Sequence, residues 1–352
     1  MKQYIACDAH KKYTIFGSID ERGRYGKQRR VSHNREEYRG FLRTLPEKST
    51  IAIESIGNWY WMIEEMEGSG HKPILVHPRK AKLMMGMTNK TDRLDVNGLA
   101  MLSRNGTIPG IWIPAGDLRD KRELPRMRMA IVGMRTKLKN RIHATLAKYN
   151  IVIEEVSDIF GVRGRELIDK RLVELPPETR RSVKEELKLL DEVAKHIRTT
   201  EKRIREIVEE TMEMKLLKTL PGFGDILATV VALEVGDIKR FGRAEQLASY
   251  SGTVPRIHSS GGKTYFGRVL PNVNRYLKWA LVEAANMVVL NQNRLEQSHA
   301  VQLYRRIRHK KGHAKAVVAL ARHLAEATFW VLTRGEQYKE PKRKQVVSST
   351  RG

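Results

Sequence analysis

Thr50-Ile51-Ala52-Ile53-Glu54-Ser55 is the stretch on which the fold turns. It is a continuous apolar run of strand length, apolar enough for the centre of a sheet, and it ends in an acid. Upstream, Tyr4-Ile5-Ala6-Cys7-Asp8 and Tyr13-Thr14-Ile15-Phe16-Gly17-Ser18-Ile19 flank Ala9-His10-Lys11-Lys12, which reads as a hairpin with Asp8 near the end of its first strand. Arg29 to His33 gives a third strand. Residues 34–45 fit a helix with Tyr38, Phe41, Leu42 and Leu45 on one face. Downstream come a helix from Trp59 to Glu67 and the strand Pro73-Ile74-Leu75-Val76. A hairpin followed by alternating strand and helix predicts a mixed α/β sheet with acids at strand ends.

Two further acids occur in Thr88-Asn89-Lys90-Thr91-Asp92-Arg93-Leu94-Asp95. At i and i+3 of a helix start, Asp92 and Asp95 would project from one face. Hard Mg²⁺ prefers carboxylate oxygens and keeps water and phosphate ligands. Two such ions, about 4 Å apart, activate an attacking oxygen and stabilise the leaving one. A plainer reading stays open: Asp92 caps the helix, Asp95 favours its first turn, and Asp8 and Glu54 are solvated strand ends.

The chain has 352 residues, with 66 Lys and Arg against 40 Asp and Glu, a formal charge of +26. Such a surface attracts phosphate backbones by steering and counterion release. Lys11, Arg79, Lys80 and Lys90 lie beside the acids as candidate phosphate contacts. Trp59, Tyr60 and Trp61 offer either base stacking or core packing. The single cysteine, Cys7, excludes an internal disulfide and reads as a core residue. No signal peptide and no apolar stretch of bilayer length is read, so a cytoplasmic, nucleoid-associated protein without membrane contact is expected.

After Ile111-Trp112-Ile113-Pro114 the pattern becomes helical. Met127, Ile131, Met134, Leu138 and Ile142 recur at steps of three or four. Val183, Leu187, Leu190, Ala194, Ile197, Ile204 and Val208 hold a heptad-like register that Glu201 breaks. An antiparallel helical hairpin or coiled-coil arm follows from this, either an internal spacer or a surface for a second subunit. Further on, Gly222-Phe223-Gly224 feeds an apolar helix, as in a helix-hairpin-helix turn whose free N–H groups grip phosphate through Gly222 and Gly224. A tight turn between helices explains the same residues. Ser259-Ser260-Gly261-Gly262-Lys263 reads as a flexible loop, with Lys263, Arg268 and Arg275 as candidate phosphate contacts. The tail at 336–352 is basic, above all from Lys339 on, and expected to be disordered.

Asp8-Ala9-His10-Lys11, Ile53-Glu54-Ser55, His77-Pro78-Arg79-Lys80 and Lys90-Thr91-Asp92-Arg93-Leu94-Asp95 resemble, in that order, the DEDD transposases of the insertion-sequence one-hundred-and-ten family. The Ser260-Gly261 block is similar to the C-terminal domain of the same family. The resemblance implies an α/β-plus-α chain: an RNase H-like, RuvC-like domain at 1–115, a helical region at 116–212, a transposase domain at 213–335 and a tail at 336–352. It implies that Asp8, Glu54, Asp92 and Asp95 bind Mg²⁺, two ions in all, and that Ser260 attacks DNA to give a phosphoserine, with Ser259 as the adjacent alternative. It implies donor and target DNA, a structured non-coding bridge RNA and a homodimer or homotetramer as partners. A RuvC-like junction nuclease that uses water, and a non-catalytic nucleic-acid-binding protein, remain the rivals.

Overall fold

The computed structural model describes residues 2–86, 91–269 and 273–341. Lys90, the side chain of Arg268 and the basic residues from Lys342 onward lie outside the described residues. The chain forms two compact units, Met1–Gly116 and Asp117–Gly352.

The first unit contains β1 (Gln3–Ala9), β2 (Tyr13–Asp20), β3 (Arg29–Ser32), α1 (Arg35–Leu42), β4 (Thr50–Glu54), α2 (Trp59–Gly68), β5 (Lys72–Val76), α3 (Pro78–Met85), α4 (Asp92–Arg104) and β6 (Gly110–Ile111). Its sheet runs β3-β2-β1-β4-β5-β6. The expected mixed sheet is present. β1, β2 and β3 form an antiparallel meander, β1, β4 and β5 run parallel, and β6 returns antiparallel. β4 is central, as its unbroken apolar run requires, and α2 is the crossover that lets β5 lie parallel to it.

Strand alternation divides the core in two. Ile5, Cys7, Ile51 and Ile53 pack with Tyr38, Leu42, Met62, Ile63 and Met66, on the side of α1 and α2. Ala6, Ala52 and Val76 pack with Leu99, Ala100 and Leu102 of α4. The second face is lined with small residues. A Cβ added at Gly17 would stand 2.6 Å from Val96 Cγ1, so glycine there lets α4 lie close to the sheet. Gln28 Nε2 also donates to Asn97 Oδ1 and to the Arg93 carbonyl, each at 3.0 Å, and ties the start of α4 to the strand edge.

The second unit opens with two long helices, α5 (Gly116–Lys148) and, after α6 (Val162–Arg171), α7 (Pro177–Ile207). Arg128–Glu201 and Arg141–Glu186 ion pairs show that α5 and α7 run antiparallel. Glu201, the expected break in the apolar register, meets Arg128 at 2.6 Å. Two details differ from the expected stripe: α7 buries Val193 and leaves Ala194 half-buried, and Met127 and Met134 of α5 are exposed.

A helical cluster follows: α8 (Met212–Leu217), α9 (Asp225–Val235), α10 (Ala244–Tyr250), the hairpin β7 (Pro255–Ser260) and β8 (Lys263–Val269), α11 (Arg275–Leu290), α12 (His299–Lys311) and α13 (His313–Arg334). α13 carries an 18-residue window of mean hydropathy 1.2, longer and more apolar than the sequence reading recognised. Its Val317, Leu320, Ala321, Leu324 and Phe329 are buried in this cluster, so it is a core helix. The tail also differs from expectation at its start: Tyr338 N donates to Thr219 Oγ1 at 2.8 Å, and its ring packs on the helical core.

Candidate metal centre and serine hairpin

Four acids converge in the first unit, and the local structure explains why. Asp8 follows Ala6 and Cys7 on β1, which pair with Ala52 and Ile53 of β4. Asp8 and Glu54 therefore leave adjacent parallel strands at neighbouring positions, on the face that α4 covers. Thr91, not Asp92, caps α4, its Oγ1 accepting from Leu94 N at 3.3 Å. Asp92 is therefore not the cap: it sits at the first helical position with Asp95 three residues on, and both lie in the first turn, where carboxylates also favour the helix dipole. Asp8, Glu54, Asp92 and Asp95 all line one cleft of ≈ 830 Å³.

Burial of Cys7 on the opposite face of the sheet, and after that the charges of Asp8 and Glu54, push its thiol well above the ordinary range. The cysteine is thus an inert core thiol, as expected.

His10 completes the cluster. Its Nε2 lies 3.2 Å from Asp8 Oδ2 and 3.3 Å from Asp92 Oδ2. The nitrogen is shielded from solvent and aligned for a hydrogen bond with neither oxygen. The ring rests on Tyr13, 4.5 Å between centroids, and Asn58 Nδ2 reaches the His10 carbonyl at 3.3 Å. One ligand atom each from Asp8, His10 and Asp92 fall within 4.8 Å of one another. Hard oxygens around one buried, hydrogen-bond-free imidazole nitrogen are a donor set that fits a divalent cation.

The rim is mixed. Arg79 and Lys82 bring positive charge, while Ile56, Leu83 and Met85 are apolar. Of the residues expected to contact phosphate, Arg79 lines the cleft; Lys11 and Lys80 are exposed and do not line it. His77 caps α3, accepting from Lys80 N at 3.4 Å. Trp59 and Trp61 pack against the core, and Trp61 meets Tyr38 edge-on at 4.9 Å. His10 and Lys82 were not singled out from sequence. His10 lies just past the end of β1, two residues after Asp8, and that proximity is the one signal the sequence holds.

In the second unit, Ser260 lies at the end of β7, opposite Lys263. Gly261 and Gly262, at φ +55° and +74°, close a two-residue turn. Consecutive positive φ values define the tight hairpin turn that a Gly-Gly pair favours, so the expected flexible loop is an ordered ribbon. Ser259 Oγ lies 3.4 Å from Thr264 Oγ1, and Ser260 is exposed. No Asp or Glu stands between Glu245 and Glu283 in the chain.

The hairpin is rooted between Tyr250 and Asn274. Asn274 N donates to the Tyr250 carbonyl at 2.9 Å, and Asn274 Oδ1 caps α11 through Tyr276 N and Leu277 N. Asn274 Nδ2 in turn donates to Tyr250 Oη at 3.0 Å and to the fully buried Glu234 at 2.8 Å. Arg126 meets the same carboxylate at 2.8 Å, and Arg122 donates to the Leu233 carbonyl at 2.8 Å. Arg275 is exposed and donates to Tyr276 Oη at 2.9 Å.

The turn before α9 has two characters. At Gly222, φ +83°, an added Cβ would lie 2.2 Å from the Ala284 carbonyl, so this glycine serves close packing on α11. Gly224 is exposed ahead of α9, but Asp225 follows at once and pairs with Lys218 at 3.0 Å.

Residues 5–151 match a DEDD family model of IS110 type described as "Transposase", and residues 214–300 match "Transposase IS116/IS110/IS902 family". The chain is 26% identical over 341 residues to the transposase for insertion sequence element IS1111A of Coxiella burnetii, covering 95% of this chain and 91% of that one. It is 26% identical over 308 residues to the transposase for element IS1328 of Yersinia enterocolitica, covering 85% and 88%. A 43.6 kDa protein of insertion element IS110 from Streptomyces coelicolor is 31% identical over 143 residues, 40% of this chain and 34% of that one.

Proposed function

Because the chain belongs to the IS116/IS110/IS902 family of insertion-sequence transposases, we propose that it cuts and rejoins donor and target DNA through Mg²⁺-dependent chemistry with Ser260 as nucleophile. The observation that carries this reading is the convergence of Asp8, Glu54, Asp92 and Asp95, from separate segments, in one cleft with a cationic rim. The meander-then-parallel strand order, with acids at strand exits, supports an RNase H-like, RuvC-like assignment for 1–115. The reading further takes 116–212 as a helical region, 213–335 as the transposase domain and 336–352 as the tail.

Asp8, Glu54, Asp92 and Asp95 would hold the metal, with His10 alongside. A bound divalent cation supplies Lewis-acid polarisation and a more acidic oxygen nucleophile. Arg79 and Lys82 draw the phosphodiester toward the cleft and balance its charge. In the covalent step, Ser260 Oγ forms a bond to phosphorus and gives up its proton to solvent. One P–O bond of the DNA breaks, and its sugar oxygen takes up a proton. A hydroxyl of the second DNA then displaces Ser260 and restores the phosphodiester. A serine hydroxyl needs activation to do this, and the sequence around it supplies no carboxylate.

The +26 charge supports contact with nucleic acid. On the family resemblance we take the partners to be the two DNAs, a structured non-coding bridge RNA and further copies of the chain, acting in the cytoplasm on nucleoid DNA.

Incubation with element-end DNA, Mg²⁺ and RNA transcribed from the flanking non-coding segment, followed by denaturation, tests the serine. Wild type yields a protein–DNA adduct that Ser260→Ala abolishes and Ser259→Ala retains. Strand cleavage that survives Ser260→Ala transfers the attack to water and makes the chain a junction nuclease.

A further inference from the structure

The ribbon of β7 and β8 displays apolar side chains where a soluble protein ordinarily hides them. Ile257, Tyr265 and Phe266 are 60%, 63% and 68% exposed. Directly opposed residues of an antiparallel pair share a face, and successive pairs alternate. Ile257 opposes Phe266 and Ser259 opposes Thr264, which gives one face. His258 opposes Tyr265 and Ser260 opposes Lys263, which gives the other. One face thus carries an Ile–Phe pair, and the other carries Ser260 with Lys263, His258 and the exposed Tyr265.

An isolated two-stranded hairpin is at best marginal in water. This one gains from a partner, and its charge says which kind. From Gln246 to Val282 there is no acid, while Arg256, Lys263, Arg268, Arg275 and Lys278 all fall within that span. A second copy of so uniformly basic a ribbon would be repelled. Duplex DNA is attracted, and a two-stranded ribbon fits a DNA groove. Phe and Ile are also the side chains that wedge between base steps and kink the duplex.

We propose that the Ile257–Phe266 pair is a DNA wedge that unstacks a base step of the duplex the ribbon enters, with Ser260 on the ribbon's opposite face. Ser260 lies three residues further along the strand, about 10 Å, and faces the other way. Pyrimidine–purine steps unstack most easily, so the wedge favours flexible sites such as TA over stiff A-tracts. That preference is sensed through DNA deformation and adds to whatever base pairing selects. The inference rests on the DNA-acting reading above and is independent of whether Ser260 is the nucleophile.

Full-length protein is titrated into two 24-bp duplexes, one of alternating TA and one an A-tract, each with a single 2-aminopurine. Anisotropy reports binding and 2-aminopurine emission reports unstacking. Wild type is expected to raise emission at least about threefold on the alternating duplex and little on the A-tract. Phe266→Ala and Ile257→Ala lose that rise while duplex affinity falls less than tenfold, and Phe266→Trp keeps it. Binding without any rise, or a rise that Phe266→Ala leaves intact, overturns the wedge. Phe266→Ala converting a dimer to a monomer in sedimentation, with emission unchanged, overturns it in favour of a self-interface. Wild type that binds neither duplex overturns the DNA-acting reading itself.

Discussion

In the first unit the four acids of the cleft come from β1, β4 and α4, brought together by strand parity and by a helix laid close over Ala6, Gly17 and Ala52. In the second unit the serine lies at the tip of a ribbon whose residues from Arg256 to Gly267 are exposed. The first arrangement is rigid and convergent: every group is held by an element with its own core. The second is projecting and sparse, with its support confined to the root, where Asn274, Tyr250 and Glu234 meet. A centre that must hold cations needs several donors fixed at once, because repulsion among carboxylates opposes their assembly. A nucleophile that must reach a bulky duplex gains from exposure instead. On the proposed function, the two units would divide these demands between them.

Asp92→Asn is the largest break in that comparison. It removes charge from the cleft while keeping the shape and the Thr91 cap. Strand cleavage is expected to fall by more than about a hundredfold, beyond what loss of an outer-shell partner costs, with most DNA binding retained. If Asp92→Asn leaves recombination intact in a transposition assay, the cleft is not the chemical centre.

Glu234→Ala strikes the root of the ribbon. It takes away the buried carboxylate that faces Arg126 and Asn274. Breaking a buried pair by removing one partner costs about 3–5 kcal/mol, so the urea midpoint should drop clearly. Ser260-dependent adduct should fall with it even where protein remains folded. A loss below about 1 kcal/mol would mean that the network is solvated and that the ribbon's position owes nothing to it.

The same contrast governs how much was legible in the sequence. Asp8 and Glu54 stood out because an acid ending an apolar strand is conspicuous, and Asp92 with Asp95 because their spacing selects one helical face. Both depend on local periodicity. The ribbon was read as a loop because Gly261-Gly262 suits either a flexible linker or a tight turn. The signals that decide between them, Ile257 before and Tyr265-Phe266 after, lie outside that dipeptide. Gly222 reads either as a phosphate grip or as a tight turn between helices, and the neighbour that favours the turn is Ala284, 62 residues on, which no local pattern reveals. Glu201 and Glu234 likewise find arginines 73 and 108 residues away, at Arg128 and Arg126. Local chemistry was visible; partners supplied by tertiary packing were not.

His10 is the finer test of whether the first unit holds a metal. It lies just beyond β1, so the sequence offered it only as part of a turn. In the fold its Nε2 faces Asp8 and Asp92 at 3.2 and 3.3 Å. Carboxylates alone suit Mg²⁺, whereas an imidazole donor raises affinity for softer ions such as Co²⁺. His10→Ala should therefore weaken Co²⁺ binding by about tenfold or more and Mg²⁺ binding less. Calorimetry and the visible spectrum of Co²⁺ on the full-length protein read this without any DNA. Should His10→Ala bind Co²⁺ as tightly as wild type, or more tightly, the imidazole is a spacer between two carboxylates and the acids alone hold the ion.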